Sequence, residues 1–454
     1  MCLAHILYKN KKYKMKKSIY NICVIKANGA FIYNSFNNVY VAISVKLCND
    51  FENMNLETFS HLYSCAFQKF KEIGLIVPDS VDELALIRYK NKMATFASRE
   101  MRIVVYPTQD CNLKCWYCYE NHVPNTRLTK EISARIEKFV SREIDKNSFD
   151  KFHVTFFGGE PLTDFNTIAY PLCKSLKDKV EDANKKFDCF FVTNGSLIKE
   201  DTIEKLKDMQ PNLQITIDGN KEQHDKVRIW KDKNKPTFEH IMWAIHKLTE
   251  EIDKRYFLTL RINYDNKTLL KADDVLEQIK DIDPKKIFIH FERVWQTKNE
   301  VNPEQTRLLL DTMTKFIKAG FVVNQGAFRG LPYSCPSEMN NTLVINYDGT
   351  IHKCNGRTLT AQTRYGNLLD DGTLKMDESL VAKRIGKSTF EQPMCLKCKM
   401  LPMCMGPGSQ KLLEHGGKWT KDICTMHSID TTLSDYLSLD FLVQSLVNKY
   451  EQNI

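Results

Sequence analysis

The central part of the chain alternates between two patterns of apolar residues. Six short strand-like runs are separated by stretches in which apolar residues recur every three or four positions, as on one face of a helix. The predicted strands are Arg102–Tyr106, His153–Phe157, Asp188–Thr193, Leu213–Asp218, Phe257–Asn263 and Lys286–Glu292. The predicted helices lie near 130–146, 166–184, 197–209, 237–252, 267–281 and 303–319. Six consecutive strand–helix units predict an α/β fold, in which right-handed crossovers curl a parallel sheet into a partial (β/α)6 TIM-like barrel.

The segments on either side of this region follow other patterns. The N-terminal part is predicted to contain strands Asn21–Lys26, Phe31–Asn34 and Val39–Val45, a turn at Asn28-Gly29 and a helix Leu56–Gly74. Beyond residue 320, turns, glycines and cysteines dominate until a predicted helix near Ile429–Tyr450. We therefore predict three domains: a small α+β unit over 1–95, the partial barrel over 96–320 and a cysteine-rich domain over 321–454.

Composition narrows the cellular setting. Neither a membrane-length apolar run nor a signal peptide is found in the sequence, so we expect a cytoplasmic protein without a membrane partner. Fifteen cysteines in a reducing compartment are expected to be metal ligands or buried thiols rather than disulfides. The net charge of +9 comes partly from short lysine-rich stretches, and no basic stretch alternates with aromatic residues. We therefore expect no nucleic-acid partner.

Three cysteines follow the first predicted barrel strand directly. Cys111, Cys115 and Cys118 are separated by three and two residues, at the end of the strand where barrel active sites lie. An iron–sulfur cubane normally takes four thiolates, so three leave one iron open to a small chelating ligand. A zinc site is the alternative, but zinc prefers four ligands, and His122 is the nearest further donor.

This spacing resembles the CxxxCxxC motif of the radical S-adenosylmethionine superfamily, in which an aromatic residue, here Tyr117, precedes the third cysteine. The resemblance implies a [4Fe-4S] cluster whose open iron binds the amino and carboxylate groups of S-adenosylmethionine. An electron from the cluster then cleaves the sulfonium to methionine and a 5′-deoxyadenosyl radical, which abstracts hydrogen from a substrate. The cofactors carry this chemistry, and the protein positions them.

Polar and glycine motifs follow the next strands in order. Each alone is typical of a turn or a cap, but their succession at consecutive strand ends points to one site. Gly158-Gly159-Glu160-Pro161 resembles the superfamily's GGEP motif, which holds the amino group of the cofactor, and the stretch from Asp218 to Arg228 resembles its "DG…HD…R" stretch. The resemblance implies a cofactor-binding set of Tyr117, Gly158, Gly159, Glu160, Thr193, Asn194, Thr216 and Arg228. Arg261 and Asn263 are further polar candidates, whereas His224 is expected to be structural.

Six further cysteines lie in the C-terminal part. Their spacing resembles the SPASM domain of radical enzymes that modify peptides and proteins, which has seven cysteines and up to two auxiliary clusters. The matching metal ligands are Cys335 and Cys354 for the first auxiliary cluster, and Cys395, Cys398, Cys404 and Cys424 for the second. The chain departs from the pattern at Gly408, where a further cysteine is expected. The first auxiliary cluster is therefore lost, completed by another ligand, or left with an open iron; taken alone, the last four cysteines also suit zinc.

The resemblance implies a maturase that modifies a ribosomally made peptide or protein through a crosslink or an oxidation. The expected cofactors are the cluster with S-adenosylmethionine and one auxiliary [4Fe-4S] cluster, with flavodoxin or ferredoxin as electron donor. The N-terminal unit is a candidate for binding a leader peptide by strand addition. The alternatives are formylglycine formation on a sulfatase, with His290 and Glu292 as candidate bases, a zinc protein that binds nucleic acid, and a non-catalytic electron carrier.

Overall fold

The computed structural model describes residues 14–27, 29–232, 235–294, 296, 303–325, 333–386, 389–427 and 429–452. The predicted turn residue Asn28 lies outside these ranges. The described residues form two compact units. The smaller unit contains residues 14–94, 333–334 and 389–407, and the larger contains the remaining described residues.

Most strands are short and belong to the larger unit. In chain order they are β1 (Met15–Lys17), β2 (Asn21–Lys26), β3 (Gly29–Asn34), β4 (Val39–Ile43), β5 (Ile76–Pro78), β6 (Glu100–Val105), β7 (Lys151–Phe156), β8 (Lys186–Thr193), β9 (Asn212–Ile217), β10 (Leu258–Tyr264), β11 (Ile287–Arg293), β12 (Val322–Gln325), β13 (Thr342–Ile345), β14 (Thr350–His352), β15 (Gly366–Leu368) and β16 (Leu374–Met376).

The longer helices follow the strands of the larger unit. In chain order the helices are α1 (Val45–Asn53), α2 (Leu56–Leu62), α3 (Ser64–Glu72), α4 (Glu83–Phe96), α5 (Lys130–Asp145), α6 (Tyr170–Asp182), α7 (Glu200–Met209), α8 (Lys221–Val227), α9 (Phe238–Glu251), α10 (Asn266–Leu269), α11 (Ala272–Ile279), α12 (Pro303–Lys318), α13 (Glu378–Ile385), α14 (Pro393–Leu396), α15 (Leu401–Cys404), α16 (Gly408–Glu414) and α17 (Leu433–Gln452). Within the described residues, none of these helices combines the length and the apolar character needed to cross a lipid bilayer.

One sheet organises the larger unit. Its strand order is β12-β11-β10-β9-β8-β7-β6-β13-β14-β15-β16. The strands from β12 to β13 are parallel to their neighbours, whereas β14, β15 and β16 are added antiparallel. The six predicted strand–helix units are all present, which confirms the predicted α/β class. Two parallel strands that the sequence analysis missed, β12 and β13, flank them.

Alternating burial along the strands explains how the sheet packs. In β6 and β7 every second side chain is buried. The buried set joins one apolar core with residues such as Ile136 and Phe139 of α5, which lie one helical turn apart on one face. The other set includes Arg102, His153 and Asp188, which are adjacent by strand register. The other face of the sheet is therefore partly polar.

The smaller unit is built around a separate apolar core. A three-stranded antiparallel sheet in the order β2-β3-β4 packs with α1, α2 and α3. The predicted single helix over residues 56–74 is wrong, because Tyr63 adopts a non-helical conformation and separates α2 from α3. The Tyr63 hydroxyl donates to Asp50 in α1 at 2.5 Å, a tertiary bond that stabilises this break. The helix α1 was also missed: the predicted strand over 39–45 ends at Ile43, and Ser44 caps the helix.

A buried carboxylate fixes the segment that precedes the last helix of the larger unit. Asp430 is 1% exposed. Its Oδ2 accepts from the hydroxyl of Tyr264 in β10 at 2.6 Å, and its Oδ1 lies 2.8 Å from Nη1 of Arg293 in β11. At the other end of α17, the Tyr450 hydroxyl donates to the carbonyl of Gly320 at 2.7 Å. Polar contacts thus anchor both ends of α17 to the barrel.

We predict that Asp430→Ala lowers the free energy of unfolding by about 3 kcal/mol, because it leaves the charge of Arg293 and the hydroxyl of Tyr264 without their shared partner. Urea denaturation followed by circular dichroism measures this loss. The matched control is Asp311→Ala, which removes an exposed aspartate paired with Arg307 and should change stability by less than about 0.5 kcal/mol. Equal effects of the two substitutions would contradict an anchoring role for Asp430.

Candidate functional site

The three-cysteine loop leaves the barrel after β6 and is fixed by main-chain bonds. The amide of Lys114 donates to the carbonyl of Ile229 at 3.2 Å, and the amide of Lys231 donates to that of Asn112 at 2.9 Å. Leu113 is fully buried between these two bonds. The loop therefore pairs with the segment that follows α8.

The cysteines of this loop lie in a largely desolvated environment. Burial raises the pKa of the Cys111 thiol to about 12 and that of Cys118 to about 11, and it also raises the pKa of Cys115. Free thiols here stay protonated at neutral pH, so any metal that binds them must displace their protons. The amide of Leu113 and the side chain of Asn194 donate to the sulfur of Cys111, at 3.4 and 3.7 Å. Such bonds orient a thiolate ligand.

Two glycines bring the end of β7 against this loop. Gly158 and Gly159 both have positive φ, at 85° and 30°. A Cβ on Gly158 would lie 2.1 Å from the ring of Tyr106, and one on Gly159 would lie 1.9 Å from the carbonyl oxygen of Asp110. Only glycine permits this approach. The amide of Glu160 then donates to the same Asp110 oxygen at 2.9 Å, which joins the turn to the cysteine loop.

Glu160 connects the ends of β7 and β8. Its carboxylate is fully buried. One oxygen accepts from the amide of Leu162 at 2.9 Å and from the hydroxyl of Thr193 at 2.7 Å, and the other accepts from the amide of Asn194 at 2.7 Å. Burial raises the pKa of Glu160, and these donors oppose that effect. The carboxylate therefore positions the Thr193-Asn194 turn, and Asn194 in turn contacts the cysteine loop.

Tyr117 is the centre of a second polar cluster. Its hydroxyl donates to Oδ2 of Asp218 at 2.5 Å and accepts from Nη1 of Arg228 at 2.7 Å and from the amide of Asn263 at 3.0 Å. Oδ1 of Asp218 and Nε of Arg228 are buried and have no hydrogen-bond partner among the described residues. Unsatisfied buried polar atoms are costly, so this cluster is suited to a polar ligand.

The stretch around α8 supports that cluster. His224 is fully buried, and its Nδ1 accepts from the amide of Asp218 at 3.3 Å. Its Nε2 lies 3.0 Å from the hydroxyl of Thr237. Asp225 caps α9 by accepting from two amides at 2.9 Å. Thr216 is buried beside Arg261 by strand register, and Nε of Arg261 donates to Asn263 at 2.8 Å.

Sequence reasoning missed two contributors to the cysteine loop: Glu120, near the third cysteine, and Asn112, next to the first. The ligand atoms of Cys118, Glu120 and His122 all lie within 4.8 Å of one another. Oε1 of Glu120 is buried without a hydrogen-bond partner among the described residues, and burial raises the pKa of this carboxyl to about 7. Asn112 was also missed: it accepts from Asn194 at 2.9 Å and donates to Ser196 at 2.8 Å. The sequence around Asn194 and Ser196 looks like an ordinary turn. It therefore gives no sign that Asn112 bonds to both residues.

The C-terminal cysteines fall in both units. Cys335, Cys354 and Cys424 belong to the larger unit, whereas Cys395, Cys398 and Cys404 belong to the smaller. The latter three lie on two short helical turns: the amide of Cys398 donates to the carbonyl of Cys395 at 3.0 Å, and that of Cys404 donates to Met400 at 2.8 Å. Three thiols are thus presented from one compact stretch of backbone.

Comparison with known proteins identifies the larger unit's central region. The model of the radical SAM superfamily matches residues 105–275. The radical SAM cyclopropyl synthase TigE of Paramaledivibacter caminithermalis is 22% identical over 371 residues, which cover 74% of this chain and 75% of the relative. The cysteine-type anaerobic sulfatase-maturating enzyme of Clostridium novyi is 24% identical over 67% of this chain and 87% of its own.

Solved structures show the same fold. The structure of native anSMEcpe with bound AdoMet and Cp18Cys peptide superposes with a TM-score of 0.56 at 18% identity, over 78% of this chain and all of the other. Streptococcus suis SuiB bound to its precursor peptide SuiA gives a TM-score of 0.51 at 16% identity, over 90% of this chain and all of the other. The superfamily model and the curated relatives favour a radical enzyme over the zinc-protein and electron-carrier alternatives. The chain is an enzyme that contains a radical SAM domain over residues 105–275.

Proposed function

We propose that the chain is a maturase that modifies a ribosomally made peptide or protein by abstracting hydrogen from a side chain or an α-carbon. A crosslink, often a thioether, or an oxidation of the substrate follows. The observation that carries the proposal is the convergence, at the ends of the parallel strands, of a three-thiol loop with buried polar atoms that have no hydrogen-bond partner within the described ranges. The relatives support the substrate class, since they include sulfatase-maturating enzymes and a structure of SuiB with its precursor peptide.

The residues at the strand ends suit the cofactors of the superfamily. When bound, the cluster and S-adenosylmethionine supply an electron to the sulfonium and a carbon radical that removes a hydrogen atom from the substrate. Cys111, Cys115 and Cys118 are the proposed ligands of the [4Fe-4S] cluster. Their number leaves an iron coordination position for the cofactor, as the superfamily requires.

The remaining residues of the site have proposed roles in holding and orienting. Glu160 accepts from the ammonium of the cofactor, and the glycines before it allow the backbone to approach. Nε of Arg228 is a charged donor for the carboxylate, since it is buried and has no hydrogen-bond partner among the described residues. The other members of the proposed cofactor-binding set are Tyr117, Gly158, Gly159, Thr193, Asn194 and Thr216.

A second candidate reaction is formylglycine formation on a sulfatase. Nε2 of His290 lies 3.0 Å from Oε2 of Glu292, and both residues belong to β11 near its carboxyl end. A histidine–carboxylate pair at a strand end is an appropriate general base. A cysteine-containing sulfatase peptide tests this candidate: mass spectrometry detects conversion of cysteine to formylglycine, and an unmodified peptide argues against it.

Other partners follow from the same assignment. The outer strands β2 and β4 of the smaller unit pair only with β3 among the described strands, so they are the proposed edges for a leader peptide. Flavodoxin or ferredoxin is the proposed electron donor, and a cytoplasmic location is proposed because the cluster needs a reducing environment.

Cys395, Cys398, Cys404 and Cys424 are the proposed ligands of one auxiliary [4Fe-4S] cluster.

We expect the wild-type chain, reconstituted anaerobically and reduced with dithionite, to form 5′-deoxyadenosine and to change the mass of peptides encoded beside its gene. Cys115→Ala should abolish both activities, because two thiolates do not hold the cluster. Chromatography of the nucleoside and mass spectrometry of the peptide are the readouts. Cys65→Ala, which removes an exposed thiol of the smaller unit, is the matched control and should retain activity. Retained nucleoside formation in Cys115→Ala would show that the cluster is held elsewhere.

Glu160→Gln should weaken binding of S-adenosylmethionine by ~10-fold or more, because an ionic hydrogen bond to the ammonium becomes neutral. It should also lower the free energy of unfolding by about 1–3 kcal/mol, since an amide nitrogen cannot accept from a buried donor. Calorimetry and urea denaturation measure the two effects. Glu200→Gln, at an exposed position in the first turn of α7, is the control and should change neither. Unchanged affinity would remove Glu160 from the binding set.

Cys398→Ala should lose iron from the auxiliary site and keep the first cluster, which retains all three of its cysteines. Iron content per chain and formation of 5′-deoxyadenosine report the two clusters separately. Iron content equal to that of Cys65→Ala would mean that these cysteines hold no cluster.

A further inference from the structure

The region around Cys335 and Cys354 departs from the SPASM pattern at one backbone position. A Cβ built on Gly408 would lie 3.8 Å from the sulfur of Cys335, so Gly408 stands where a further thiolate would face that cysteine. The φ of Gly408 is +80°. This backbone conformation is unfavourable for cysteine, so a thiolate ligand at position 408 would strain the turn.

Among the described residues, two side chains close in sequence to the cysteines carry atoms that could replace the absent thiolate. They are Glu338, three residues after Cys335, and His352, two residues before Cys354. Oε1 of Glu338 accepts from the amide of Ser409 at 2.7 Å. Nδ1 of His352 donates to the carbonyl of Thr363 at 2.8 Å, and its Nε2 lies 3.3 Å from the hydroxyl of Thr350. Both side chains already make hydrogen bonds to protein groups, and Cys335 and Cys354 supply two thiols where a cubane normally takes four. The donor set does not fit a cluster.

A buried arginine connects the segments around this position. Arg384 of α13 is 2% exposed. Its Nε donates to the hydroxyl of Tyr365 at 2.8 Å, and its Nη1 donates to the hydroxyls of Ser409 at 2.9 Å and Ser337 at 3.3 Å. Its Nη2 donates to the side chain of Gln410. One guanidinium therefore joins the turn after Cys335, the residue before β15 and the first turn of α16.

Two further contacts complete this arrangement. Glu338 accepts a hydrogen bond from the amide of Ser409, and Arg384 donates one to the hydroxyl of the same residue. The start of α16 is therefore fixed from both sides. The loop that follows Cys354 is fixed to the first cysteine loop: the Tyr119 hydroxyl donates to the carbonyl of Asn355 at 2.8 Å, and the Thr358 hydroxyl donates to the carbonyl of Tyr119 at 2.7 Å. Hydrogen bonds within the protein thus position both cysteine-bearing segments.

We propose that this chain has no iron–sulfur cluster at Cys335 and Cys354, and that the hydrogen bonds of Arg384 hold the segment after Cys335 against the start of α16 in its place. The proposal refines the cofactor content of the proposed function. It concerns the larger unit's own residues and is independent of whether Cys395, Cys398, Cys404 and Cys424 bind iron.

The first test compares iron content. The double variant Cys335→Ser/Cys354→Ser, reconstituted anaerobically, should contain the same iron and sulfide per chain as the wild type. Cys115→Ala, measured in parallel, should lose the iron of the first cluster and shows that the assay detects the loss of one cluster. Loss of a comparable amount of iron from the double variant would overturn the proposal. A wrong assignment of the other auxiliary cysteines affects only Cys398→Ala, so the two failures are distinguishable.

The second test compares stability. Arg384→Met should lower the melting temperature by several degrees without changing the iron content, because it leaves several buried acceptors unsatisfied. Lys383→Met, at the exposed neighbouring position of α13, is the matched control and should leave the melting temperature nearly unchanged. Ser409→Ala removes a single acceptor and should show the same effect at smaller size if Arg384→Met fails to fold. An unchanged melting temperature in both Arg384→Met and Ser409→Ala would contradict the role of this network.

Discussion

The site depends on the close approach of two backbones. The amide of Glu160 reaches the carbonyl of Asp110, directly before the first cysteine, and this is possible only because Gly159 has no Cβ. The same bond places the Glu160 carboxylate where it orders the turn after β8, and Asn194 of that turn donates to Cys111. A single contact between neighbouring strand ends therefore positions three parts of the site: the cysteine loop, the glycine turn and the turn after β8.

The parallel sheet brings other residues of the site together in the same way. Because all parallel strands run in one direction, their carboxyl ends lie at one edge, and residues far apart in sequence meet there. Tyr117 bonds to Asp218 after β9 and to Asn263 in β10, more than a hundred residues away. The cost of burying Arg228 is offset by the anionic and polar groups around it. Nε of Arg228 and Oδ1 of Asp218 are buried without a hydrogen-bond partner in the part of the chain that the structure describes, so the cluster suits a polar ligand.

The sequence predicts the central sheet better than the flanking parts. The strands β6 to β11 were predictable because each is an apolar run bounded by turn residues and followed by an amphipathic helix. The break at Tyr63 was not, since its stabilisation comes from a tertiary bond to Asp50 rather than from local propensity. The strands β12 and β13 are only four residues long, and they acquire their identity by pairing with β11 and β6.

A similar distinction applies to the site. The cysteine spacing and the glycine turn are local patterns, so the sequence located them, whereas the positions of Glu120 and Asn112 depend on how a loop folds back. At the C-terminal cysteines, the sequence identifies a missing ligand at Gly408 but not its consequence. Arg384 lies 24 residues before that position and its partners are common serine, tyrosine and glutamine residues. Its burial in the fold is the reason to assign it a role. Burying a guanidinium with so many side-chain acceptors costs free energy, and we expect such an arrangement where no other cross-link joins the backbone segments.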